Sequence, residues 1–190
     1  MSDTPKEAAA ESLTIGPMTP ADLDAVCEID RLCFPTPWHR GAFETELRNA
    51  ASYYVVARLP ARLPEPARSQ AGQRPGTSGA LGARVVGFAG MWVMVDEAHI
   101  TTMAVHPEHR RKRIGEALLV HLLRTAFQRC ATRATLEVRA GNTAAQRLYE
   151  KYGFVTVAYL QGYYSDTGED GHLMWLNPLE AEPRPKGPPW

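Results

Sequence analysis

The stretch His106–Leu119, HPEHRRKRIGEALL, constrains this chain more than any other. An apolar run ends at Val105, and a loop with four consecutive basic residues, Arg110, Arg111, Lys112 and Arg113, runs directly into Ile114 and Gly115. Ile114, Leu118, Leu122 and Ala126, together with Leu119, Leu123 and Phe127, then fall on one wide face, which predicts a buried helix over residues 114–129. The unit is therefore strand, basic loop, helix. Free backbone N–H groups and the helix dipole converge at such a turn, and basic side chains add charge, so the turn is an anion site suited to a pyrophosphate. A basic run alone is more often a solvated patch or a targeting signal. The abutting buried helix is what favours the anion site.

The rest of the chain alternates in the same style. Strands are predicted near Leu13–Ile15, Ser52–Leu59, Arg84–Val95, Ala98–Val105, Ala134–Ala140, Val155–Gln161 and His172–Leu176. Thr19, Pro20 and Asp22 read as a helix start, followed by Leu23, Val26, Cys27, Ile29 and Leu32 at helical spacing. A second helix is expected near Gly41–Ala51, and a short one over Thr143–Tyr152 that stops at Gly153, with Phe154 packing back. This order predicts a mixed α/β (α+β) sheet domain over residues 13–177. Residues 1–12 and 178–190 read as flexible tails. Residues 60–83, rich in Pro, Gly, Ala and Arg, read as a long mobile loop inserted between two strands, with RNA contact as the less favoured alternative.

Bulk properties narrow the class. A chain of 190 residues suits one domain, and 21 Lys plus Arg balance 21 Asp plus Glu, so no net charge drives it to nucleic acid or membrane. Cys27, Cys33 and Cys130 show no CxxC spacing, which reads as reduced thiols in a cytoplasmic protein. The longest apolar stretch is about half of what crosses a bilayer. A monomer without direct nucleic-acid or membrane contact is expected.

A second informative segment is Leu136-Glu137-Val138-Arg139-Ala140-Gly141-Asn142, followed by TAAQRLYEKYGF. Taken alone, Glu137 is a solvated strand residue beside Arg139, and Tyr149 a packed helix tyrosine. Together with Arg110–Gly115, however, the words resemble the GNAT superfamily of N-acetyltransferases, and LEVRxxNxxAxxLYExxGF is similar to its RimI-like branch. The family's loop signature is Q/R-x-x-G-x-G/A. Arg113 stands where its first glycine is usual, and Gly115 matches the second.

The resemblance implies a GNAT fold, with a mixed, mostly antiparallel sheet splayed at the acetyl-CoA site and flanked by helices. It implies acetyl-CoA as co-substrate, held by Met103, Ala104 and Val105 at the strand end, by the loop residues Arg110, Arg111, Lys112, Arg113, Ile114, Gly115 and Glu116, and by Asn142. It implies Glu137 as general base and Tyr149 as general acid. Phe34 and Trp38, in CFPTPW, and the pair Tyr163 and Tyr164, in GYYSDTGEDG, match the walls of the peptide site, with Asp166, Glu169 and Asp170 forming an acidic rim suited to a cationic terminus. Read without the family, Phe34 and Trp38 are equally hinge packing, and the Asp166 region a polar turn. The branch acts on the N-terminal alanine of small-subunit ribosomal protein S-eighteen, which makes that protein N-terminus the implied substrate.

The chemistry accords with these residue types. An α-amine titrates near pH 8, so deprotonating it at neutral pH costs only about 1–2 kcal/mol, against about 4–5 kcal/mol for a lysine. A backbone N–H can stabilise the oxyanion, and a phenol can protonate the departing thiolate. Weaker alternatives are other protein N-termini, a lysine or a small amine as acceptor, a cysteine nucleophile at Cys33 or Cys130, and a non-enzymatic acetyl-CoA-binding module on ribosomes. No metal is expected: His106 and His109 lie three apart without further ligands.

Overall fold

The computed structural model describes residues 13–60 and 83–186. They form β1 (Thr14–Pro17), α1 (Leu23–Cys33), α2 (Arg40–Arg48), β2 (Ser52–Leu59), β3 (Arg84–Met94), β4 (Glu97–Val105), α3 (Ile114–Gln128), β5 (Arg133–Arg139), α4 (Thr143–Lys151), β6 (Val155–Tyr164) and β7 (Glu169–Leu176). The mixed α/β fold expected from the sequence is present, with the elements in the expected order. One sheet runs β1-β2-β3-β4-β5-β7-β6. Every neighbouring pair is antiparallel except β4–β5.

Boundaries moved where side chains intervened. Asp22 accepts from both Thr19 N and Thr19 Oγ1 at 2.8 Å, which closes a 3₁₀ turn over Pro20–Asp22 before α1 begins. α2 stops at Arg48 because Asn49 is extended and its Oδ1 accepts from Ala51 N. β7 starts three residues earlier than predicted, where Glu169 pairs with Tyr164 across the hairpin.

Alternate residues of β2 divide the core. Val55 and Ala57 face α3 and α4, with Leu118, Leu119 and Leu122 fully buried. Tyr54 and Val56 face α1 and α2, beside Leu23, Val26, Phe43 and Phe88. α1 packs on β3 and β4, and α2 on β2.

The gap in the sheet has a local cause. β4 and β5 pair only from Glu97↔Arg133 to Ile100↔Leu136. At that point the β3–β4 register shifts, with Gly90 opposite Thr102 and Met91 opposite Ile100, which leaves Thr101 as a bulged residue. Tyr54 crosses over Gly90, where an added Cβ would lie 2.3 Å from the ring, and its hydroxyl hydrogen-bonds Thr101 Oγ1 at 3.0 Å. Gly90 thus admits the tyrosine that holds the bulge, and the bulge turns β4 away from β5.

The expected flexible tail from 178 is corrected for residues 178–186. Leu179 is buried, its N–H bonds to Thr132 O at 2.7 Å, and Lys186 N bonds to Lys151 O at 2.7 Å. Leu179 gives this proline-rich strap an apolar anchor, and its backbone bonds fasten it beside β5 and α4. The expectations for residues 1–12, 61–82 and 187–190 lie outside the described residues.

Candidate active site

Where β4 and β5 part, a cleft of about 660 Å³ opens. Met103, Glu137, Asn142, Tyr149, Phe34, Trp38 and Tyr164 all line it. Seven residues singled out in the sequence, from six different elements and loops, therefore meet in one place. The basic loop 110–113, Ile114, Gly115 and Glu116 lie outside the lining, around the N-terminus of α3, as do Ala104, Val105 and Tyr163.

At the α3 end the groups left without a partner belong to the backbone. Arg113 is the N-cap and takes φ 59°, the left-handed conformation that glycine adopts without cost, and Arg111 takes φ 63°. No side chain caps the first turn, so its amides remain available to an anion. A Cβ on Gly115 would meet nothing nearer than Val105 Cγ2 at 3.6 Å, so packing within the protein does not require glycine there. The side chains are partly committed: Arg110 donates to Val105 O and to Cys33 Sγ at 3.4 Å, and Lys112 Nζ lies 3.4 Å from His109 Nδ1. Glu116 accepts from Lys151 at 2.5 Å and Tyr152 at 2.8 Å, tying α3 to α4. Ala104 is buried in the α1–α2 core, and Val105 O accepts from Cys33 Sγ.

Nearer the middle of the gap, Glu137 sits on β5 with its side chain 21% exposed, and its Oε2 lies 3.3 Å from His99 Nε2. Tyr149, on α4, is buried against Phe154 at 5.8 Å. Burial pushes its hydroxyl well above the usual phenol range, which keeps it protonated. No hydrogen bond engages that hydroxyl among the described residues. Asn142 caps α4, its Oδ1 accepting from Ala145 N at 3.2 Å, while still lining the cleft.

The outer walls are cross-linked. Trp38 packs on Phe43 at 5.3 Å, and its backbone N–H donates to the buried Asp30 at 2.6 Å. Burial pushes the Asp30 carboxyl up to about 6, against the opposing pull of that N–H bond. Arg139 pairs with Asp166 at 2.7 Å and Glu169 at 3.2 Å, and its guanidinium lies 4.0 Å from the Tyr164 ring centroid. Asp166 also accepts from Thr36 at 3.1 Å, which bridges the two walls. The expected acidic rim is present but partly paired: Arg139 bridges Asp166 and Glu169, and Asp170 accepts from Gly162 N at 2.8 Å. Tyr163 stands outside, 5.1 Å from Tyr164 and half-exposed.

Sequence reasoning missed His99, Thr135, Glu97 and Asp30. Parity offered a signal, since Glu97 and His99 alternate along β4 as Thr135 and Glu137 do along β5, but only the parallel pairing brings them together. It also missed that Glu108 joins His106 and His109, with ligand atoms within 4.8 Å of one another. Burial, then Lys112 and Arg84, hold the His109 ring below its ordinary range, and Arg84 lies 3.8 Å from Glu108. Those cations oppose a dication.

Residues 23–154 match the family model for the Acetyltransferase (GNAT) family. A putative ribosomal protein bS18-alanine N-acetyltransferase of Bacillus subtilis is 32% identical over 156 residues, spanning 82% of this chain and 89% of that protein. The ribosomal protein bS18-alanine N-acetyltransferase of Escherichia coli K12 is 31% identical over 165 residues, covering 86% and 96%. A crystal structure of the ribosomal-protein-S18-alanine N-acetyltransferase from Escherichia coli superposes with a TM-score of 0.69 at 27% identity, over 94% of this chain and 99% of that one. The chain belongs to the GNAT family and is an acetyl-CoA-dependent N-acetyltransferase.

Proposed function

We propose that the protein acetylates the N-terminal α-amine of a protein chain, with an N-terminal alanine of the bS18 type as the preferred acceptor. The observation that carries this reading is the meeting of Glu137 and Tyr149 in one cleft, at the point where β4 and β5 separate. The printed activity of the relatives supports the choice of acceptor.

Acetyl-CoA supplies an acetyl group activated as a thioester. The residues present fit it: the uncapped first turn of α3, the space over Gly115, the flanking arginines, and Met103 with Asn142 in the gap. Glu137 takes the proton that keeps the incoming amine cationic. The nitrogen would then bond to the thioester carbonyl carbon, and the backbone at Thr101, which lines the cleft, would be placed to stabilise the oxyanion. As the carbon–sulfur bond breaks, Tyr149 gives its proton to sulfur and regains one from the acylated nitrogen. Phe34, Trp38 and Tyr164 wall the mouth, and the Thr36–Asp166 hydrogen bond joins its two sides.

Intact-mass spectrometry of a bS18 N-terminal peptide with enzyme and acetyl-CoA tests the reading. One acetyl group on the free peptide and none on its N-blocked form is expected. Acetylation of a lysine in the blocked peptide, or none at all with acetyl-CoA bound, would move the acceptor to another amine.

A further inference from the structure

A connected set of side chains runs from Glu137 away from the cleft and has no part in the reaction as described. His99 Nε2 faces Glu137 Oε2 at 3.3 Å, and His99 Nδ1 faces Thr135 Oγ1 at 3.0 Å. Thr135 Oγ1 donates to Glu97 Oε1 at 3.1 Å, and Glu97 Oε2 accepts from Arg133 Nε at 2.9 Å. The parallel register, with His99 opposite Thr135 and Glu97 opposite Arg133, builds this ladder on one face of the sheet. Thr135 is 2% exposed, and Trp92 lies beside His99 at 6.0 Å, with the His99 side chain 24% exposed.

The protons along the chain can be counted. A threonine hydroxyl has one proton, and a carboxylate paired with a guanidinium only accepts. The Thr135 proton therefore points at Glu97, and an oxygen lone pair points at His99. His99 Nδ1 must then carry hydrogen. If Nε2 carried none, its lone pair would face the Glu137 carboxylate across 3.3 Å. A second proton between Nε2 and Oε2 removes that clash.

We propose that Glu97 and Thr135 are positioning residues that fix His99 with its Nδ1 protonated, which makes the base of this reaction a proton-sharing Glu137–His99 pair rather than an isolated carboxylate. The proposal rests on the reading of Glu137 as base. In the pair, Nε2–H anchors Oε2 and leaves Oε1 to receive the amine proton. The shared proton stays between Nε2 and Oε2 throughout, so the amine's proton is the one that leaves to solvent after turnover.

Imidazole ¹⁵N NMR of the full-length protein reads which ring nitrogen carries hydrogen, with the His99 signals assigned by their loss in His99→Gln. Wild-type protein is expected to show hydrogen on both ring nitrogens, that on Nε2 shared with Glu137. Thr135→Val removes the acceptor and should strip Nδ1 of its hydrogen, leaving Nε2–H alone, with kcat lowered about tenfold, less than the roughly 10²–10⁴ of the base itself, and KM unchanged. Thr135→Ser should restore both readings, and Glu97→Gln should shift the ring in the same direction as Thr135→Val. An unchanged His99 spectrum in Thr135→Val, or a loss of kcat without any tautomer change, would overturn the proposal. Glu137→Gln separates the two layers. Full turnover in that variant, with the tautomer responding as described, would remove the role of Glu137 as base and leave the ladder standing as structure alone.

Discussion

The two ends of the β4–β5 gap are built on different principles. At the α3 end, the groups offered to a ligand are backbone amides of one helical turn, and the surrounding arginines are exposed and several. In the middle of the gap, the proposed working groups are the side chains of Glu137, beside His99, and Tyr149, held by burial, with the Thr101 bulge held by Tyr54. A backbone site survives side-chain changes that leave the turn intact. A side-chain site fails with any one link. Substitutions at the first end should therefore alter affinity or stability modestly, and those at the second should remove turnover.

Tyr149→Phe gives the largest of these expected effects. It keeps the ring packed against Phe154 and removes only the hydroxyl, so kcat should fall about 10²-fold with an unchanged thermal melt. A fall in the melt as well would show that the hydroxyl serves packing.

Gly90→Ala comes next. Its Cβ would lie 2.3 Å from the Tyr54 ring, which is buried and must move, taking Thr101 with it. A loss of about 1–3 kcal/mol in denaturant unfolding is expected, together with most of the activity. Retained activity would separate the bulge from the chemistry.

Asp30→Asn probes the wall beneath Trp38. The folded protein holds the Asp30 proton up to about 6, whereas an unfolded carboxyl loses it near pH 4. The charge thus lowers stability increasingly as pH rises from about 4 through about 6, and costs nothing below. An asparagine oxygen still accepts from Trp38 N without the charge. The variant should melt above wild type at neutral pH, and the difference should vanish by about pH 4. A gap independent of pH would rule out the buried charge as its source.

Arg113→Gly gives the smallest effect. Relief of the left-handed arginine should raise stability by about 1 kcal/mol, with kcat unchanged. Lower stability would mean that the Arg113 side chain contributes packing or charge that outweighs the backbone strain.

The same division explains what the sequence disclosed. The α3 turn was legible because it is contiguous: four basic residues, a helix face and Gly115 lie within one short stretch. Glu137, Asn142 and Tyr149 were legible through the words around them. His99, Thr135 and Glu97 were not, because their contacts depend on which strands lie side by side, and a parallel pair joined through α3 cannot be read from local pattern. The pairing within the acidic rim was hidden for the same reason: Asp166 and Glu169 look free until Arg139, nearly thirty residues upstream, is placed between them. The proline-rich C-terminal segment looked loose because Leu179 gives no local sign that α4 and β5 will receive it.

The most direct test of the account measures acetyl-CoA affinity and turnover on the same Glu137→Gln protein. Calorimetry should give a Kd within about twofold of wild type, while kcat for the bS18 peptide falls by at least about 10²-fold. A kcat near wild type, or a Kd that weakens in step with kcat, would contradict a cofactor end built on backbone and an amine end built on Glu137.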